Sequence, residues 1–205
     1  MTARTVPVPP ERLVRWCENF GTRHGTVTLD VCDGCLHLAA EDGESAEVLL
    51  PFGRRYAGAA DPAAVADAAA APLRWGVLLV RKGGFAVAVV DTDRVVASKV
   101  GQRHVQGRTK AGGQSQQRFA RRRDNQARQA YEAAADHAHR VLVAEATAPL
   151  EALVCGGDRA AVDQVLADLR VEPWLPVPDP RRAVLDQAVA DARSLQVHLP
   201  ARPPE

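Results

Sequence analysis

The apolar positions of this chain change period several times, and each change marks an element. In PPERLVRWCENF (9–20), Leu13, Trp16, Cys17 and Phe20 recur at three- and four-residue spacing behind a proline, which predicts a short helix ended by Gly21. In TVTLDVCDGCLHLAA (26–40) the period drops to two: Val27, Leu29 and Val31, then Leu36 and Leu38, flank Asp33-Gly34, a strong two-residue hairpin signal. AEVLLPF (46–52) reads as a third strand, and DPAAVADAAAA (61–71) as an alanine-rich helix capped by Asp61 and closed by Pro72.

From Leu73 onward the stretches WGVLLVRK (75–82), FAVAVVD (85–91) and RVVASKV (94–100) are joined by Gly83-Gly84 and Thr92-Asp93, which predicts a three-strand meander. A long helix is expected from about Ser115 to Ala146, with Phe119, Ala127, Tyr131, Ala134, Ala138 and Leu142 on one face. LEALVCGG (150–157) reads as a buried strand, Asp158 as the cap of the next helix, EPWLPVPDP (172–180) as a proline-rich turn, and RRAVLDQAVADARSL (181–195) as a last helix. The fold class is therefore α/β (α+β), a mixed β-sheet with packed helices. The expected organisation is an N-terminal helix and β-hairpin extension over 1–72 packed on the main domain, a main domain over 73–195, and a frayed tail over 196–205.

Composition sharpens this picture at one place. The chain has 205 residues and a net charge of +1, but Lys99, Arg103, Arg108, Lys110, Arg118, Arg121, Arg122, Arg123 and Arg128 face a single acid, Asp124, within 99–128. One strongly positive segment on a mildly acidic body is the electrostatic footprint of a nucleic-acid binder. A solvated charged helix face normally interleaves acids among its bases, and here they are missing. Aromatic residues make up only 4%, so the core has to be built mainly of Val, Leu and Ala. No apolar run is long enough to span a membrane and the N-terminus has no signal-peptide core, so a soluble cytoplasmic protein is expected. Four scattered cysteines do not suggest a disulfide framework.

Within the basic segment lies GRTKAGGQSQQRFARRR (107–123). Gly112 and Gly113 lose backbone entropy on ordering unless special dihedrals or close approach are needed, and they precede a helix N-terminus whose N–H groups lack partners. Such a tip, poor in side chains, fits a narrow space. Arg108 and Lys110 before it, and Arg118, Arg121, Arg122 and Arg123 after it, are placed to hold RNA phosphates. The loop over 101–115 is expected to be flexible.

Gly112, Gly113, Gln114 and Ser115, followed by Arg118, Phe119, Ala120 and Arg121, closely resemble the catalytic middle domain of the eukaryotic and archaeal class-1 peptide-chain release factors. The strand meander before the loop and the glycine-ended strand LVCGG after the helix agree with it. Gly107-Arg108-Thr109-Lys110 looks more like the release-factor-like peptidyl-tRNA hydrolases of ribosome quality control, including the short actinobacterial VLRF-type members. The resemblance covers roughly 73–195. It implies hydrolysis of the ester between nascent peptide and tRNA on the large ribosomal subunit, by a monomer that contacts ribosomal RNA and peptidyl-tRNA and needs no cofactor or metal. Gln114 would sit at the reaction centre with Gly112 and Gly113, and Ser115, Gln116 and Gln117 are secondary candidates. The linker from Gly107-Arg108 to the glycines is longer than in release factors, and the glutamine's register varies among the quality-control relatives. Gln116 or Gln117 therefore stands as an alternative to Gln114. No Asn-Ile-Lys-Ser segment is present, so stop-codon reading is not expected.

Other chemistry is less well supported. Cys32 and Cys35 have metal-ligand spacing, with His24 and His37 as possible additions, but the Asp-Gly turn explains that spacing better. Asp91 and Asp93 at a strand end would suit a metal-dependent nuclease, though a polar turn is the simpler account. His104 lies near the basic loop, and His137 and His139 read as helix-surface residues. The alternative from a different class is a non-catalytic ribosome- or RNA-binding factor using the same basic segment.

Overall fold

The computed structural model describes residues 3–81, 84–102, 131–144, 149–165 and 171–200. The first strands are β1 (Arg4–Val8), β2 (Val27–Cys32), β3 (Cys35–Ala40), β4 (Ser45–Leu49), β5 (Arg74–Arg81) and β6 (Gly84–Asp91). They are followed by β7 (Arg94–Gln102), β8 (Ala152–Gly157), β9 (Val171–Leu175) and β10 (Leu195–Leu199). The helices are α1 (Leu13–His24), α2 (Pro62–Ala70), α3 (131–139, continued by a π-helical turn at Arg140–Ala144), α4 (Arg159–Val165) and α5 (Arg182–Ala192). The result is an α+β fold with two sheets, in two compact units: Met1–Pro72 with Ala190–Glu205, and Leu73–Val189.

The first unit is built on a sheet ordered β1–β10–β4–β3–β2, with every neighbouring pair antiparallel. The Asp33-Gly34 turn adopts positive φ at both residues, 52° and 87°, as a two-residue hairpin with the right twist requires. Asp61 accepts a hydrogen bond from the Ala64 N–H at 3.1 Å and caps α2. Leu13 and Phe20 of α1 and Val65 of α2 join Leu36, Leu38, Val48, Leu195 and Val197 in one buried core. Helix α1 runs through Gly21 and ends at Gly25, whose φ of 87° makes it the true terminator. The larger correction concerns the tail. Residues expected to fray from 196 onward form β10 up to Leu199, between β1 and β4, because Leu195 and Val197 alternate into the core. β1 was likewise not anticipated.

The second unit has a mixed sheet ordered β7–β6–β5–β8–β9. The meander β5–β6–β7 is antiparallel, while β8 runs parallel to β5 and β9 parallel to β8. Val77, Leu79, Ala86, Ala88 and Val154 are buried on one face, and Leu78, Val80, Val87, Val89 and Cys155 on the other. This double burial explains the near-continuous apolar runs of β5 and β6. Ala134, Ala138, Val141 and Leu142 pack over the second of these faces, with Ala161 and Val162 of α4 in the same cluster. Gly76 gives α3 room: a Cβ there would come within 2.9 Å of Leu142 and 2.8 Å of Leu153. The segment 172–180, expected to be only a turn, opens with strand β9. Pro173 is tolerated because β9 is an edge strand, where a missing N–H costs no ladder bond.

The β6–β7 turn holds Thr92 at φ 57°, a region that β-branched residues avoid. Its N–H donates to the Leu73 carbonyl at 2.7 Å, and its own carbonyl accepts from the Trp75 indole at 3.5 Å. Both bonds use backbone atoms, so Thr92→Gly keeps them and removes the strain. Thermal denaturation of that variant should show a stabilisation of about 0.5–1 kcal/mol.

Candidate functional site

The described residue that precedes the basic segment, Gln102, lies at one end of the second sheet. At β7's last residue Gln102 lies opposite Gly84, with Gly101 opposite Phe85. A Cβ on Gly84 would overlap the Gly101 carbonyl, and a Cβ on Gly101 would overlap the Phe85 ring. Gly101 therefore leaves room for the ring over β7, where it also stacks on His137 of α3 at 5.3 Å between centroids. His137 is thus a packing residue of this sheet end rather than a plain surface histidine, while His139 is exposed. The same end carries the C-termini of β5 and β8, at Arg81 and Gly157, which lie near each other through the pairing of Val80 with Gly157. Crevices outside the carboxyl ends of parallel strands are where open α/β sheets commonly bind ligands.

Glycine geometry sustains this strand end. Gly157 has φ 97°, and a Cβ on it would overlap the Val80 carbonyl, while one on Gly156 would overlap the Leu175 carbonyl. Asp158 then caps α4, accepting from the Ala160 N–H at 3.1 Å. Burial raises the Tyr131 pKa above its ordinary value, and the charge of Asp158 adds to the effect. The first described residue of α3 therefore lies within electrostatic reach of the end of β8. Arg159 lies over the Trp174 ring at 4.7 Å, and Arg81 is exposed. Neither cation stands out in the sequence, because both lie far along the chain from the basic segment and only the fold brings them to this end of the sheet. Replacing Gly101 by valine should force Phe85 off β7 and destabilise this unit by about 1–3 kcal/mol, as overpacked sites do. A lowered melting temperature with unchanged far-UV circular dichroism at 20 °C would register it.

Gly112, Gly113, Gln114, Ser115, Gln116, Gln117, Arg108, Lys110, Arg118, Arg121, Arg122 and Arg123 all lie outside the described residues, as does His104. What the structure places is the pair of anchors on either side of them, Gln102 on β7 and Tyr131 on α3.

The remaining candidates separate in space. Asp91 pairs with Arg74 at 3.9 Å, in register across β5 and β6. That is the sheet end opposite Arg81 and Gly157, so a carboxylate centre there would be remote from Gln102 and partly neutralised. Cys32 and Cys35 face each other across the hairpin, and the Cys35 Sγ is 3.2 Å from His37 Nε2. His24 does not join them, since its Nδ1 pairs with Asp42 at 2.9 Å. Among the described residues no three His, Cys, Asp or Glu side chains group as metal ligands. Cys155 is buried in the second core, and burial, with Glu18 adding, pushes the Cys17 thiol up to about 12. At neutral pH Cys17 is therefore a packing residue, not a nucleophile. No helix among the described residues is long and apolar enough to cross a membrane.

No curated protein matches this chain. A protein-family match does exist, to the family described as Actinobacteria/chloroflexi VLRF1 release factor, over residues 73–198. The match spans more than half of the sequence and contains the whole second sheet, the basic segment and the Gly-Gly-Gln tip. The chain belongs to the Actinobacteria/chloroflexi VLRF1 release factor family.

Proposed function

We propose that this protein is a peptidyl-tRNA hydrolase that frees nascent peptides on stalled large ribosomal subunits without reading stop codons. The observation that carries the proposal is the position of Gly112-Gly113-Gln114-Ser115 and its arginines inside the family-matched span, between β7 and α3. The physical chemistry supports it. An ester is already activated, so catalysis needs mainly a positioned water and a donor for the developing oxyanion. The Gln114 N–H supplies that donor, and its carboxamide admits water while excluding larger nucleophiles. Gly112 and Gly113 keep the approach narrow. Arg108, Lys110, Arg118, Arg121, Arg122 and Arg123 bind ribosomal RNA or tRNA phosphates, with Ser115, Gln116 and Gln117 beside the reaction centre. No metal or titrating side chain is required. The protein acts as a cytoplasmic monomer whose partners are the large subunit and peptidyl-tRNA.

The test uses purified large subunits carrying labelled peptidyl-tRNA, with free peptide measured for the wild type and for Gln114→Ala. The wild type should release peptide, and the variant should bind the subunit equally well but release far more slowly. Binding without release by the wild type would instead identify a non-catalytic ribosome-binding factor, which the basic segment alone would also support.

A further inference from the structure

The first unit carries a feature that the hydrolase reading does not use. An open cleft of about 630 Å³ is lined by Pro7 and Pro9 on the β1 side and by Arg12, Arg15, Trp16 and Asn19 on the α1 side. Its volume falls in the range of about 300–1,000 Å³ typical of small-ligand sites. Positions 12, 15, 16 and 19 are neighbours along one helical stripe, which Arg23 continues, while Glu11 and Glu18 fall outside it. Arg12 and Arg15 are exposed, and neither has an ion-pair partner among the described residues. Trp16 is half-buried and lies nearly parallel to the Phe20 ring, 5.5 Å away and tilted by 15°. Phe20 is buried in the core, so the indole is held as a fixed platform at the cleft.

A fixed aromatic face beside two exposed guanidinium groups, with a carboxamide in the same cleft, matches a nucleobase with adjacent phosphates. Asn19 offers both a donor and an acceptor to a base edge. An added peptide strand fits less well, because β1 is an edge whose Pro7 lacks the N–H that such a strand would bond. We propose that this cleft holds a segment of single-stranded RNA, one base on Trp16 and adjacent phosphates on Arg12 and Arg15. The choice of RNA over DNA rests on the ribosomal function proposed above; the recognition of base and phosphate does not.

The experiment uses the full chain with Arg108, Lys110, Arg118, Arg121, Arg122 and Arg123 all changed to alanine, which removes the cations assigned above to phosphate binding. Binding of fluorescein-labelled oligoadenylate of about ten nucleotides is followed by anisotropy across a salt series. This parent should bind the RNA. Adding Arg12→Ala with Arg15→Ala should lower the slope of log affinity on log salt by about 1.4, the value for two phosphates of a single strand. Trp16→Leu should weaken binding by roughly 5- to 150-fold, the range for one lost stacked base. Melting temperatures of the arginine variants should match the parent's, and a salt slope is a readout that loss of packing would not mimic. The proposal is overturned if the parent does not bind, if slope and affinity ignore the cleft variants, or if polyglutamate binds in place of RNA. Equal or tighter binding of the DNA counterpart overturns the assignment to RNA. Failure here with Gln114-dependent release intact refutes the cleft alone, and the reverse refutes the hydrolase alone.

Discussion

Deleting residues 195–205 should unfold the first unit. Leu195 and Val197 are fully buried, and β10 separates β1 from β4. Each lost side chain removes about 1.5–3 kcal/mol of burial, before the cavity it leaves is counted. The truncation also strips β1 of its neighbour and opens one side of β4, leaving ladder donors and acceptors to water. The total approaches the roughly 5–15 kcal/mol by which a whole domain is stable. Limited proteolysis should then cut within 1–72, and heating followed by circular dichroism should show the cooperative transition of that unit lost. An unchanged melt would mean that β10 is dispensable to this core.

The second large effect is catalytic, and two substitutions at Gln114 divide it. Gln114→Ala keeps the backbone N–H and removes the carboxamide that positions water, for which a loss of order 10²-fold in single-turnover peptide release is expected. Gln114→Pro removes the N–H as well, and loss of one oxyanion donor should add about 10²- to 10³-fold. Neither change alters charge, so affinity for the subunit and its salt dependence should stay as in the wild type. Changing Arg118, Arg121, Arg122 and Arg123 to alanine should do the opposite. Subunit affinity falls, its salt slope drops by up to about 3–4, and release at saturating protein is spared. Release that responds to the arginines but ignores Gln114 would move the reaction centre to Gln116 or Gln117, or away from the loop entirely.

Where local chemistry decides the structure, the sequence was legible. Asp33-Gly34 could only be a tight hairpin, Asp61 before Pro62 had to open a helix, and the apolar runs of β5, β6 and β8 had to be buried strands. The errors arose where distant partners decide. LQVHL alternates, but it follows a helical stripe, and nothing local reveals that β1 and β4 leave a gap that only it fills. RTVPV is short and carries a proline, and only the pairing with β10 makes it a strand. EPWL looks like a turn because of Pro173, which only an edge position excuses. The basic segment stands out by charge and composition alone, and its residues lie outside the described ones. The residues around the sheet end at Gln102 do not stand out. Arg81, Arg159 and His137 become its neighbours through strand order alone.

The interleaving of β10 has a consequence for biogenesis. On a translating ribosome, β1 and β4 emerge long before residues 195–199, with nearly the whole chain between Thr5 and its mate His198. So non-local a closure is slow, and meanwhile it leaves two raw strand margins able to pair with other nascent chains. Synthesis of this protein should therefore depend on holdase chaperones until its final strand clears the exit tunnel, even though its meander can fold as it appears.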